Sequence, residues 1–160
     1  MRYKFLRTRS PFALRLIASV ADHLLILDYQ AMFSAVAKNL SEAPYHAHIY
    51  YVGDERDTAS ALRERFAQDP DVLFVGSLAD RPLGPHPLPQ FEVHFQEMAV
   101  SHVMAAIQAS GLRALVHPLT NDDLADHTSH ACWIGPPLQL DERLLDPPGM
   151  NQGLARFGKE

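Results

Sequence analysis

The sequence predicts an α+β fold in which four strands and two helices follow one another as β-α-β-β-α-β. Three observations predict it. Short segments at Tyr45–Val52, Val72–Val75, Phe91–Phe95 and Leu112–His117 are rich in β-branched and aromatic residues, most of them alternating with period two. Two segments between them, Thr58–Gln68 and Met98–Ala109, carry apolar residues at helical spacing. Proline, glycine and aspartate punctuate the junctions. This order is the split βαβ, or ferredoxin-like, arrangement. It implies an antiparallel sheet of spatial order 4-1-3-2 with both helices on one face.

Each element has its own warrant. In the first strand, Ala47, Ile49 and Tyr51 share one face and His46, His48 and Tyr50 the other. Ala59, Leu62 and Phe66 form the apolar stripe of the first helix, with Thr58 or Asp57 available as its cap. Asp69-Pro70-Asp71 stops that helix, because proline removes a donor and disfavours helical geometry in the residue before it. Arg81-Pro82-Leu83-Gly84-Pro85-His86-Pro87 reads as a stiff loop. Phe91, Val93 and Phe95 oppose Glu92 and His94 across the third strand. Gly111 lies near the C-cap of the second helix. Ala114 and Val116 oppose Arg113, Leu115 and His117 across the fourth strand. Beyond Pro118 the chain is loop-rich, with a further short strand expected near Trp133 or Leu138–Leu140.

The chain of 160 residues is read as an N-terminal extension (1–43), the α+β domain (44–145) and a C-terminal tail (146–160). Five basic residues from Arg2 to Arg15 precede the first acidic one, and an apolar run follows at Leu14–Val20. An extension with some helix, a presequence and read-in from upstream of the true start all fit this pattern. Asp22, His23 and Asp28 break the apolar run short of a membrane span, so no membrane partner is expected. A net charge of −5 gives no reason to expect nucleic acid. The single cysteine, Cys132, excludes an intrachain disulfide and a Cys-rich zinc site, and fits a reducing, cytoplasmic setting.

Nine histidines stand out. In a 4-1-3-2 sheet the third and fourth strands flank the first, antiparallel to it. His46 begins the first strand, while His94 and His117 end the third and fourth, so all three reach one edge of the sheet on the face away from the helices. Strands lie about 4.8 Å apart, so imidazoles from three neighbours can meet one ion. His46, His48 and His117 are the expected metal ligands, and Glu92 could join them. Two histidines and a carboxylate with open positions is the arrangement of a non-haem Fe(II) oxygenase. His23, His102 and His130 are read as surface or packing residues. A single helix layer leaves the other sheet face open, which suggests a homodimer.

Several ordered blocks resemble the DOPA 4,5-dioxygenase family of fungi and bacteria. They are Tyr45-His46-Ala47-His48-Ile49-Tyr50-Tyr51; Gly84-Pro85-His86-Pro87 with Phe91-Glu92-Val93; Leu115-Val116-His117-Pro118-Leu119-Thr120; and Asp126-His127-Thr128 with Ala131-Cys132-Trp133-Ile134-Gly135. The similarity runs from about Pro44 to Leu145. It implies a ferredoxin-like domain, usually dimeric, and extradiol cleavage of L-DOPA or a related catechol by dioxygen, with Fe(II), or alternatively zinc, as the metal. His46, His48, His86, His117 and His127 match its shared histidines by position. His86 and His127 then stand in loops as catalytic proton carriers, with Asp126 either orienting His127 or capping its own loop. Two departures stand against this: no asparagine-arginine pair precedes the fourth strand in Ala109–Arg113, and residues 1–43 have no counterpart. Cys132 is expected as a small buried residue and Trp133 as core or interface. The rivals are a non-enzymatic dimeric binding domain and a zinc hydrolase, the latter weakened by the lack of an H-E-x-x-H motif.

Overall fold

A computed structural model describes residues 44–148, Met150 and Gly158–Lys159. The expectations for residues 1–43, His23 included, lie outside the described residues.

The fold is α+β. The strands are β1 (Tyr45–Tyr50), β2 (Val72–Val75), β3 (Gln90–Phe95), β4 (Arg113–Pro118), β5 (Cys132–Ile134) and β6 (Gly158–Lys159). The helices are α1 (Arg56–Ala67), α2 (Val100–Ser110) and a short α3 (Asp123–His127). The sheet order is β5-β4-β1-β3-β2-β6. The expected 4-1-3-2 order is therefore incomplete: that run is the centre of a wider sheet. Antiparallel β5 lengthens it beside β4, and β6 lies parallel to β2. The fourth strand does not end at an edge because Cys132–Ile134 carries enough β-forming side chains to pair with Ala114–Val116. Leu138–Leu140 forms no strand.

One core explains most of the packing. The alternating Ala47, Ile49 and Tyr51, the apolar face of β3, and Ala114 and Val116 meet Ala59, Leu62 and Phe66 of α1 and Val103, Met104 and Ile107 of α2. Both long helices thus pack on the same sheet face, as the alternation required. Neither Thr58 nor Asp57 caps α1. A 3₁₀ turn at Gly53–Glu55 leads into it, with Glu55 accepting from the Val52 N–H, so the helix begins earlier than its apolar stripe. Asp69 accepts from the Asp71 N–H and turns the chain into β2. Gly111 ends α2 in the left-handed region, φ +77°, where a side chain is disfavoured.

The second sheet face is not bare. Helix α3 packs on β4, and His117 and Leu115 are fully buried within the one chain. The argument for a dimer from an uncovered face therefore fails. The chain after Pro118, read as loop, contains a helix that folds back over the histidines. Among the described residues no helix is long and apolar enough to cross a membrane.

Candidate metal centre

Strand register sets the site. His46 stands opposite His94 of β3 on one side and opposite His117 of β4 on the other, making a row of three histidines across the sheet. Two residues along, His48 stands opposite Glu92 and Leu115. The convergence expected from strand direction is thus present. His86 arrives from the loop between β2 and β3, and its ring lies 3.7 Å from that of His48, centre to centre. His127 arrives at the end of α3, 4.3 Å from His117 and 5.4 Å from His48. All six histidines are buried.

Hydrogen bonds fix the rings. His117 Nδ1 lies 2.7 Å from the Pro118 carbonyl and His127 Nδ1 2.9 Å from the Asp123 carbonyl. His48 Nδ1 lies 2.8 Å from Gln90 Oε1. These oxygens only accept, so each Nδ1 carries the proton and each Nε2 offers a lone pair. His46 differs: its Nε2 donates to Glu92 Oε2 at 3.0 Å, which leaves Nδ1 as its lone pair. His86 Nδ1 pairs with the Tyr50 hydroxyl at 2.8 Å. The Nε2 atoms of His48 and His117 are buried with no hydrogen-bond partner. A buried polar atom without a partner is costly, and a positioned imidazole lone pair is what a cation requires.

One ring nitrogen from each of His46, His48 and His117 lies within 4.8 Å of the others. The same holds for His48, His86 and His127, and for His46, Glu92 and His94. The donor set therefore fits a divalent metal with nitrogen and carboxylate ligands. Burial, and then the neighbouring histidines, holds His46, His48 and His117 well below the ordinary histidine range. Burial, with His127 next, pushes His86 down to about 3. These four rings are neutral at pH 7, the form that ligates. A cleft of about 260 Å³ opens over them, walled by Pro85, His86, Leu119 and Leu145 among others.

A model described as the Dopa 4,5-dioxygenase family matches residues 45–144. The chain belongs to this family. It is 30% identical over 128 residues to a DOPA 4,5-dioxygenase of Amanita muscaria, covering 68% of the chain and 56% of that protein. It is 31% identical over 114 residues to an uncharacterized 21.2 kDa protein of Botryotinia fuckeliana, covering 63% of the chain and 62% of that protein. The aligned region thus spans about three fifths of each of these relatives. A crystal structure of a candidate dioxygenase from Nostoc punctiforme superposes with a TM-score of 0.61 at 33% identity, covering 66% of this chain and 92% of that one.

Within this dioxygenase-family site some expectations need correction. His127 lies at the end of a helix, not in a loop. Asp126 does not orient it. Its carboxylate accepts from the Thr120 N–H and hydroxyl, both at 2.7 Å, and faces His130 at 3.2 Å, so it caps its own loop. Asp123 anchors His127, through its carbonyl and its carboxylate at 3.2 Å. His102 pairs with Asp69 away from the site. Burial raises the Cys132 thiol to about 12, as suits an inert buried residue. Trp133 stacks on Tyr50 at 5.9 Å, on the histidine face of β1.

Three contributing residues were missed. Gln90 is two residues before Glu92, on the same face, and opens a strand whose apolar alternation starts only at Phe91. Asp123 stands four residues before His127, a helical spacing visible once α3 is recognised. The Tyr50 contact depends on the path of the proline-rich loop, and no sequence signal indicates it.

Proposed function

We propose that this chain is an extradiol ring-cleaving dioxygenase, acting on L-DOPA or a related catechol with one Fe(II) ion held by His46, His48 and His117. Glu92 stands beside His46 as a further ligand or as its hydrogen-bond partner. The observation that carries this reading is the pair of buried, unpartnered Nε2 atoms on His48 and His117, converging with His46 under a cleft. The bound metal supplies a Lewis acid that lowers the phenol pKa and a place for dioxygen.

The chain's residues supply the rest. His127 presents Nε2 toward its neighbours because Asp123 holds its Nδ1, so it is placed to accept a catechol proton. His86 is held by Tyr50 through Nδ1, which leaves Nε2 to pass a proton onward. Leu119, Pro85 and Leu145 narrow the cleft and limit water around the ring. A cytoplasmic setting suits the single buried thiol, Cys132.

Metal analysis of the purified protein, paired with oxygen uptake on a panel of catechols, tests this. Stoichiometric iron and catechol-dependent oxygen consumption are expected. Zinc without oxygen uptake would point to hydrolysis or a structural ion, and no bound metal would point to a binding domain. A homodimer is expected on the family resemblance alone. Light scattering across micromolar concentrations checks it, and a monomer throughout would remove it.

A further inference from the structure

A second cleft, larger than the histidine cleft, lies apart from it. It has a volume of about 350 Å³ and lies at the opposite end of β1 and β4, where Tyr50 pairs with Arg113. Its walls mix apolar side chains, Val52, Leu88, Leu112 and Ile134, with polar ones, Glu55, Gln108 and Arg113. A small ligand pocket has this composition.

Arg113 is the cleft's cation. Its side chain is half-buried, and no hydrogen bond or ion pair engages it among the described residues. The other charged group in the wall, Glu55, accepts from the Val52 N–H through one carboxylate oxygen. Gly135, at φ +80°, runs over the stem of Arg113: a Cβ there would meet Arg113 Cγ at 3.7 Å. The guanidinium is a planar, always-charged fork of donors, which suits a bidentate carboxylate. The chain carries net charge −5, so an arginine left without an acidic partner in a concave site needs explaining.

We propose that this second cleft binds a small carboxylate with an apolar body, its charge held by Arg113. The site is separate from the metal centre but touches it structurally. Tyr50 lines this cleft, His86 lines the other, and their hydrogen bond joins the two walls. The inference does not depend on the reaction proposed above.

The protein carries its own reporter. Trp133 is its single tryptophan and stacks on Tyr50, at the wall of the cleft. Phenylacetate, titrated into the purified protein and followed by Trp133 fluorescence, is expected to give a saturable change. The uncharged phenylacetamide is expected to give none over the same range. Arg113→Gln should weaken phenylacetate about 10- to 100-fold, the usual loss for a charge-assisted pair, while Arg113→Lys recovers part of it. His117→Ala should leave the titration unchanged, which separates this site from the metal centre. Equal binding of the amide, equal binding by Arg113→Gln with its fold intact by circular dichroism, loss of binding in His117→Ala, or no saturable change in wild type would each overturn the proposal.

Discussion

His117→Ala is expected to strip the metal and abolish ring cleavage, while His94→Ala leaves substantial activity. His117 is fully buried, its Nδ1 is committed to a carbonyl, and its Nε2 has no partner but the space it shares with His46 and His48. Removing that nitrogen takes away a ligand outright. The loss in metal affinity should exceed the roughly 10- to 100-fold typical when only an outer partner of a ligand is removed. His94 stands on the same row and its ring lies 4.3 Å from that of His46. Its ligand atom groups with His46 and Glu92, but it belongs to no triad with His48 or His117. Metal content by mass spectrometry and oxygen uptake on a catechol read both variants, with circular dichroism as the check on folding. If both variants lose metal, the whole row of His46, His94 and His117 holds the ion, as strand geometry alone would have it; if only His94→Ala loses it, the ion sits over His46, Glu92 and His94 instead. If neither loses metal or activity, the reaction is carried elsewhere and the convergence of strands is structural.

The histidine row was legible because it depends on alternation and strand direction alone. Tyr45–Tyr50 alternates too regularly to allow another facing, and the β-α-β-β-α-β order forces β3 and β4 to flank β1. A slip of one residue would have sent His46 and His48 into the helix-packed core, which the apolar run Ala47, Ile49 and Tyr51 forbids. What covers the row was not legible. The segment after Pro118 has too few periodic positions for a five-residue helix to announce itself, so α3 read as loop and the face over His117 read as open. The same gap made Asp126 a candidate for orienting His127, when Asp123 does so. Strand β6 pairs through backbone groups, which any residue supplies, so Gly158–Lys159 gave no pattern to read. The row belongs to the sheet and could be derived; its lid and anchors belong to loops, where contacts follow from chain path more than from period.

In metal-free protein, stability should fall steeply as pH drops below about 6.5, the ordinary histidine value. His46, His48, His86 and His117 are all held below that value, chiefly by burial and next by one another. In the unfolded chain these rings take up protons near pH 6.5; in the folded protein they do not. The unfolded state therefore binds more protons throughout the interval below 6.5, and stability rises with pH there. Each ring contributes at most about 1.4 kcal/mol per pH unit, so four together approach about 5 kcal/mol per unit. A domain of ordinary stability, about 5–15 kcal/mol, should then unfold between about pH 3.5 and pH 5.5. Urea midpoints measured from pH 7.5 to pH 4.5 give the slope directly. A flat profile down to pH 5 would show that the rings are not buried as neutral groups. Bound metal competes with protons for the same nitrogens, so loading with Fe(II) under anaerobic conditions should move the acid transition to lower pH. His117→Ala should lose most of that metal-dependent displacement, while keeping the acid sensitivity that comes from His46, His48 and His86.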